Sequence, residues 1–254
     1  DKDGHDASNE LSYLVLEASD GVKLQSPSIC LRVCDETPDS LIDKGAQMNQ
    51  DGQANPAFFG DTVTVPMMLQ KGASLEDARD WGIVGCIEPH PGGGASEGSP
   101  TSGYLNGLKC LELVLHNGVD PLTGKEVGLK TGDPLKFTGS EQIMDALKAQ
   151  CIHCYDNIMR GYNIVVGYHI TYMPTSFSSM VMEGCIDSGK CTQEGGVKYT
   201  NTTTFFCGAA SVADSLAAID TLVFQKHKLT MAQLLDAMDK NFEGCEDIRQ
   251  MLIN

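Results

Sequence analysis

A cysteine and a glutamate two residues apart form the pair with the clearest potential for chemistry in this sequence. Cys86 and Glu88 lie in the stretch GIVGCIEPHPGGG, residues 82–94. In an extended chain, side chains at positions i and i+2 point to the same side. A thiol acts as a nucleophile, a metal ligand or a hydrogen-atom carrier, and a carboxylate takes or gives a proton. From spacing alone, a buried structural cysteine beside an unrelated surface glutamate is the commoner explanation.

The residues around this pair predict that a strand turns into a loop here. An apolar, strand-like segment covers residues 81–86, and Pro89 and three glycines at 92–94 follow it. Proline removes a backbone donor and fixes φ, and glycine permits turns that other residues resist. Functional groups are often carried at such positions.

Composition bounds the class of protein. The 254 residues are 41% hydrophobic and 20% charged, which is typical of a soluble globular protein, and residues 1–254 are predicted to form a single unit. No apolar run approaches the roughly 20 residues that cross a bilayer. A net charge of −16 argues against nucleic acid and anionic membranes as partners. Ten irregularly spaced cysteines and a polar, acidic start without a secretory signal favour free thiols in the cytoplasm.

Periodicity predicts an α/β fold, because strands are separated by helical segments around a mainly parallel sheet or barrel. The strands are predicted at 28–34 and 81–86, and 189–208 is predicted to be a structured loop. Helices are predicted at 6–19, 37–49, from 74 onward, 104–117, 140–160, 176–188, 212–223 and 230–241.

Several segments resemble one family. GCIEP resembles the cysteine loop of glycyl radical enzymes, whose usual form is Gly-Cys-Val-Glu-Pro. The resemblance implies part of a ten-stranded α/β barrel with the cysteine loop inside it. The other similar segments, in family order, are SPSICLRV, NPAFFGDTV, RDWGIVGCIEP, GYLNGLKCLELVLHNGVDPLTGKEVGLKTGDP, YMPTSFSSMVMEGCIDSGK, GGVKYTNTT and SVADSLAAID.

The resemblance also implies a mechanism. Cys86 would be the thiyl residue, which receives its radical from a stored glycyl radical and abstracts hydrogen from the substrate. Glu88 would be the general base that deprotonates a substrate hydroxyl. The radical would be installed by a partner enzyme that uses S-adenosylmethionine and an iron–sulfur cluster, in an anaerobic organism. A homodimer is expected, and the barrel would keep water from the radical.

Two departures from the family pattern matter. The family's glycyl loop near the C-terminus, with a pattern like Arg-Val-x-Gly-Tyr, has no match here, and the N-terminal half of the barrel is also missing. We therefore expect the chain to be the middle-to-late part of a longer polypeptide, inactive alone. In addition, acyl-transferring relatives carry two adjacent cysteines, whereas Gly85 precedes Cys86 here and Ile87 follows it, so acyl transfer to coenzyme A is not expected.

Other residues have candidate roles in binding. His90 is a candidate to protonate a leaving group, with a solvent-facing histidine as the alternative. Ser99 and Tyr104 are candidates to line the substrate pocket, with a core position as the alternative for Tyr104. Cys151-Ile152-His153-Cys154 suggests a metal site, but no second ligand pair lies at zinc spacing. Half-buried thiols on a helix are therefore predicted there, and no metal.

The function predicted from the sequence is that of a glycyl radical lyase. A dehydratase-like enzyme that cleaves a C–O or C–N bond of a small polar metabolite is the first choice. An arylacetate decarboxylase or a fumarate-adding synthase is the alternative within the family. A non-catalytic or metal-binding protein is the alternative from another class.

Overall fold

The computed structural model describes residues 1–92, 101–200 and 202–253. In these ranges the chain is mixed α/β, with six short strands in three two-stranded sheets. It folds into two compact units, one of residues 1–100 and 166–203 and one of residues 101–165 and 204–254. The strands are β1 Cys30–Val33, β2 Ala57–Gly60, β3 Gly82–Val84, β4 Glu88–His90, β5 Thr101–Asn106 and β6 Thr203–Cys207. The α-helices are α1 Glu10–Val22, α2 Asp39–Gln50, α3 Asp61–Gln70, α4 Leu75–Arg79, α5 Gly107–Leu115, α6 Ser140–Tyr172, α7 Ser176–Ser179, α8 Cys185–Ser188, α9 Ala209–Ile219, α10 Met231–Asp239 and α11 Glu246–Ile253.

The first unit is built on the parallel pair β1–β2, in which Cys30 faces Ala57 and Val33 faces Gly60. Helices α1 and α2 pack together beside it. Gly45 of α2 leaves no room for a side chain, because a Cβ there would lie 2.8 Å from the Phe58 ring. The buried apolar residues of this part are Leu16, Leu31, Leu41 and Met48.

A second small core supports the approach to β3. Met68 of α3, Ala78 of α4 and Trp81 are all buried and pack together. Arg32 of β1 ties this core to the sheet, because it donates two hydrogen bonds to the Asp61 carboxylate and one to the Trp81 carbonyl. The strand that leads to Cys86 is therefore fixed at its start by a buried aromatic residue and an ion pair.

The second unit has the largest core. Helices α5, α6, α9 and α10 bury one apolar face each, and β5 pairs with β6 beside them. The buried members of this core are Leu105, Cys110, Leu111, Val114, Leu115, Ile143, Ala146, Leu147, Val212, Ile219, Leu222, Val223, Leu229, Met231 and Leu234. Within the described ranges, no helix is both long enough and apolar enough to cross a bilayer.

Local sequence signals for helix starts are confirmed. Asn9, Ser74 and Thr230 each accept a hydrogen bond from a backbone amide in the first turn of the helix that follows, so each is an N-cap. The helix predicted over 37–49 is α2. The helix predicted from residue 6 begins later, at Glu10, because Asp6 instead accepts hydrogen bonds from Ser8 and Thr37.

Four predictions were wrong in part. The helix predicted over 104–117 begins only at Gly107, because Tyr104 to Asn106 belong to strand β5. The helix predicted over 140–160 continues to Tyr172. The segment 176–188 is two single turns rather than one helix, because Gly184 has φ +92°. The segment 189–208 contains strand β6 and is not only a loop.

The predicted strands and the helix predicted over 230–241 are shorter than expected, and the helix predicted over 212–223 begins earlier, at Ala209. Residues 28–34 contain β1, and 81–86 contain β3, which ends before Cys86. Helix α9 ends at Ile219 and continues as a π-helix to Gln225, and α10 ends at Asp239. The sequence analysis missed β2, β4, α3 and α11. The loop predicted after Cys86 is therefore wrong at Glu88–His90, which pairs with β3 as strand β4.

Candidate active site

Cys86 lies at the tip of a short antiparallel hairpin. Strands β3 and β4 pair with Gly82 opposite His90 and Val84 opposite Glu88, and residues 85–87 form the turn between them. Gly85 opens the turn with φ +71°, a conformation that glycine adopts without steric cost. The hairpin therefore presents Cys86 as an exposed side chain.

The Glu88 carboxylate folds back over the turn. Its Oε2 accepts hydrogen bonds from the backbone amides of Cys86, at 2.9 Å, and of Ile87, at 2.8 Å. The Glu88 carboxyl group therefore lies against the backbone of the residue that carries the thiol, in a turn rather than in the extended chain that the spacing assumes. The contact that joins them runs through the backbone of the turn.

A second thiol lies against the same turn. The Cys30 thiol donates a hydrogen bond to the Cys86 carbonyl oxygen, with 3.6 Å between sulfur and oxygen. Burial raises the pKa of Cys30, and the neighbouring Cys86 raises it further. Cys30 therefore stays a protonated donor at neutral pH. Sequence reasoning missed this residue, because nothing in the letters SICLRV connects it with a turn more than fifty residues later.

His90 is buried at the end of β4, with 5% of its surface exposed. A solvent-facing histidine, the alternative prediction, is therefore wrong. Burial lowers the pKa of His90, the Lys71 charge lowers it further, and Glu88 opposes both. The imidazole is uncharged at neutral pH.

A cleft of about 350 Å³ opens beside the hairpin. Strand β1 supplies one wall and the hairpin supplies the other. The residues that line it are Ser28, Cys30, Arg32, Phe59, Trp81, Gly82, Ile83 and Gly85. The cleft therefore lies next to the Cys86 turn, and Arg32 is the cationic residue of its lining.

Two further residues, Ser99 and Tyr104, are predicted to line the substrate pocket. Ser99 lies outside the described residues. Tyr104 lies on β5 in the second unit, where its ring stacks on Phe205 with 5.3 Å between centroids. It is 70% exposed, so the alternative prediction of a core position is wrong. Substrate contacts of Ser99, Tyr104 and His90 stay predictions.

The Cys151-Ile152-His153-Cys154 segment lies on helix α6, as predicted. Cys151 and Cys154 are half-buried and pack against the core of the second unit. Burial raises the pKa of Cys151 and of the neighbouring Cys110, which favours neutral thiols over the thiolates that metals bind. Among the residues that the structure describes, no group of three His, Cys, Asp or Glu side chains is arranged to hold a metal ion.

Comparison with known proteins assigns the chain to a family. The model of the pyruvate formate lyase-like family matches residues 1–254. Trans-4-hydroxy-L-proline dehydratase of Clostridioides difficile is 35% identical over 252 residues, which are 99% of this chain and 32% of that protein. The glycerol-bound structure of the B12-independent glycerol dehydratase of Clostridium butyricum superposes with a TM-score of 0.84 at 32% identity, over 99% of this chain and 32% of that one. A glycyl radical enzyme of Archaeoglobus fulgidus gives a TM-score of 0.83 at 32% identity, over 99% of this chain and 32% of that one.

The chain belongs to the pyruvate formate lyase-like family of glycyl radical enzymes. Its α/β fold is part of the barrel of these enzymes, so the predicted family and fold class are confirmed. The chain spans about a third of the length of the relatives it matches.

Proposed function

We propose that the full-length protein containing this chain is a glycyl radical lyase that eliminates a leaving group from a small polar metabolite. The observation that carries the proposal is the hairpin. It places an exposed thiol at the tip of a turn and a carboxylate two residues later against the same turn. The dehydratases to which the chain is similar, one for hydroxyproline and one for glycerol, support elimination of water from such a substrate.

The proposed reaction assigns one step to each side chain. Cys86, as a thiyl radical, takes a hydrogen atom from the substrate carbon that carries a hydroxyl group. Glu88 takes the proton of that hydroxyl, and the leaving group on the adjacent carbon departs with its bonding electron pair. The product radical then takes the hydrogen atom back from the Cys86 thiol. Substrate loses the leaving group and one proton, and Cys86 returns to its starting radical state.

A stored glycyl radical outside this chain supplies the unpaired electron to Cys86. In the proposal it is installed by a radical-generating partner that uses S-adenosylmethionine and an iron–sulfur cluster, and the full-length protein is a homodimer. The exposed position of Cys86 fits such a transfer, because the sulfur must be reached from one side by the stored radical and from another by the substrate. The single unit predicted for residues 1–254 is proposed in the sense that both compact units belong to one catalytic barrel.

His90 has less support than Cys86 and Glu88. Its lowered pKa leaves little imidazolium at neutral pH to protonate a leaving group. Ser99 and Tyr104 are proposed only as substrate contacts.

The test uses the full-length protein with its activating enzyme under anaerobic conditions. We expect the doublet of a glycyl radical in the electron paramagnetic resonance spectrum, and turnover within a panel of hydroxylated and aminated small metabolites. Cys86→Ser is expected to keep the radical and lose turnover, because a hydroxyl O–H bond is too strong for reversible hydrogen exchange. Glu88→Gln is expected to lower kcat by about 10²–10⁴-fold, the usual contribution of a general base.

The matched control is Cys207→Ser, which removes the other exposed thiol of the described residues and should leave turnover unchanged. Turnover that survives in Cys86→Ser contradicts the proposal. So does the absence of any radical in a full-length protein given a competent activating enzyme.

A further inference from the structure

The Cys86 turn is held by contacts that the proposed reaction does not use. Glu88 Oε2 accepts hydrogen bonds from the backbone amides of Cys86, at 2.9 Å, and Ile87, at 2.8 Å. The Cys30 thiol donates to the carbonyl of the same residue, Cys86. Amide bonds to an ionised carboxylate are about twice as strong as bonds to a neutral acceptor. The carboxylate is therefore a clamp on the residue that carries the thiol.

Gly85 is the residue that leaves space for this clamp. A Cβ at position 85 would lie 2.9 Å from Glu88 Oε2, closer than such atoms approach in real structures. The contacting atom is the end of the flexible Glu88 side chain, so a methyl group at 85 would displace the carboxylate. The backbone there also has φ +71°, which disfavours residues other than glycine.

We propose that Gly85 is a positioning residue, which lets the Glu88 carboxylate close the turn on the amides of Cys86 and Ile87 and so fixes the thiol. The inference rests on the proposed function, since it describes the same two reactive side chains. It adds that Glu88 has two roles, to hold the turn when it is ionised and to accept the substrate proton. Proton transfer to Glu88 weakens its bonds to the two amides, so the clamp loosens when the carboxyl group becomes neutral.

The experiment separates the clamp from the chemistry. Amide hydrogen exchange is measured residue by residue in the full-length protein without radical, by mass spectrometry with fragmentation that resolves residues 86 and 87. Glu88→Ala and Gly85→Ala are both expected to speed exchange of these two amides by about tenfold or more, the protection that bonds to a charged acceptor provide. Glu88→Gln retains an oxygen acceptor and is expected to speed it much less.

Gly52→Ala is the matched control for backbone strain. Gly52 also has a positive φ, +85°, but a Cβ there would have no neighbour within 4 Å. It is expected to leave exchange at residues 86 and 87 unchanged. In the activated protein, Gly85→Ala is expected to lower kcat at an unchanged yield of glycyl radical. Glu88→Gln is expected to keep the amides protected and still lose turnover.

Unchanged exchange in Glu88→Ala or in Gly85→Ala overturns the proposal, and so does equal acceleration in Gly52→Ala. These outcomes differ from a failure of the proposed function, because the exchange measurement needs neither radical nor substrate. Protected amides in a protein without radical activity would refute the lyase and leave the clamp standing.

Discussion

The ion pair between Arg32 and Asp61 is expected to be costly to break, because it supports the approach to the β3–β4 hairpin. The Arg32 guanidinium donates to both Asp61 oxygens at 2.6 and 2.9 Å, to the Arg79 carbonyl at 2.7 Å and to the Trp81 carbonyl at 3.2 Å. It also lies 4.7 Å from the centroid of the Trp81 ring, which adds a cation–π contact. These bonds join β1, the start of α3 and the residue that precedes β3.

The magnitude follows from burial. Removal of one partner from a fully buried pair costs about 3–5 kcal/mol, because the other charge is left without compensation. The side chains of Arg32 and Asp61 are 28% and 18% exposed, so water compensates part of this cost. We expect Arg32→Met to lower the free energy of local opening by about 2–3 kcal/mol, since methionine keeps the apolar contacts of the stem.

The assay is native-state hydrogen exchange of peptides from β1 and the β3–β4 hairpin in the full-length protein. A change of 2 kcal/mol corresponds to roughly thirtyfold faster exchange. Arg249→Met is the control, because Arg249 forms an exposed pair with Glu246 on one helix, with side chains 47% and 62% exposed. Such pairs contribute about 0–1 kcal/mol. The reasoning is refuted if Arg32→Met changes exchange of these peptides by less than about twofold, the size expected of a surface pair.

Three further predictions concern a carboxylate titration, a buried hydrogen bond and a core side chain. The pKa of Asp77 is lowered from 3.8 to about 2, mainly by the hydrogen bond from the Tyr199 hydroxyl. The stabilising contribution of the ionised carboxylate is therefore complete above pH 3.8 and is lost as the pH falls toward 2. In an NMR titration, Tyr199→Phe should move this loss to higher pH. Gln150→Leu should cost about 1–3 kcal/mol in a native-state exchange measurement, because the Leu129 amide loses its acceptor, the side-chain oxygen of the fully buried Gln150. Ile143→Ala, at a fully buried position, should cost about 2–5 kcal/mol by the same measurement.

Each of these has an outcome that would contradict it. An Asp77 titration midpoint that does not rise in Tyr199→Phe would mean that the hydroxyl does not stabilise the carboxylate. Full retention of stability in Gln150→Leu would show that the Leu129 amide finds another acceptor. For Ile143→Ala, the control is Met144→Ala on the same helix, at a side chain that is 39% exposed, and equal losses would contradict the burial argument.

The candidate reactive pair could be proposed from the sequence, because the proposal depends on residue types at fixed spacing. Cys86 and Glu88 stand two residues apart whatever the fold, whereas Pro89 predicts an end to regular structure and instead lies in strand β4. The sequence also predicts the N-caps Asn9, Ser74 and Thr230, since an N-cap bonds to amides only two or three residues away. These features need only local contacts.

Features that depend on distant partners could not be predicted. Tyr104 reads as the start of a helix, but pairing of β5 with β6, about a hundred residues later, makes it part of a strand. The helix over 176–188 is broken at Gly184, where a side chain would lie 2.7 Å from the Gly196 carbonyl. In both cases a contact between segments outweighs a local preference.

The sequence by itself determined which residues could react, and tertiary structure decided how they are held. Local spacing places a carboxylate near Cys86, but the folding of Glu88 onto the turn requires the β3–β4 pairing and the positive φ of Gly85. The approach of Cys30 requires β1 to lie beside the hairpin, which no periodicity encodes. The physical reason is that hydrogen bonds within a few residues follow from covalent geometry, whereas contacts across fifty residues follow only from the packing of the whole unit.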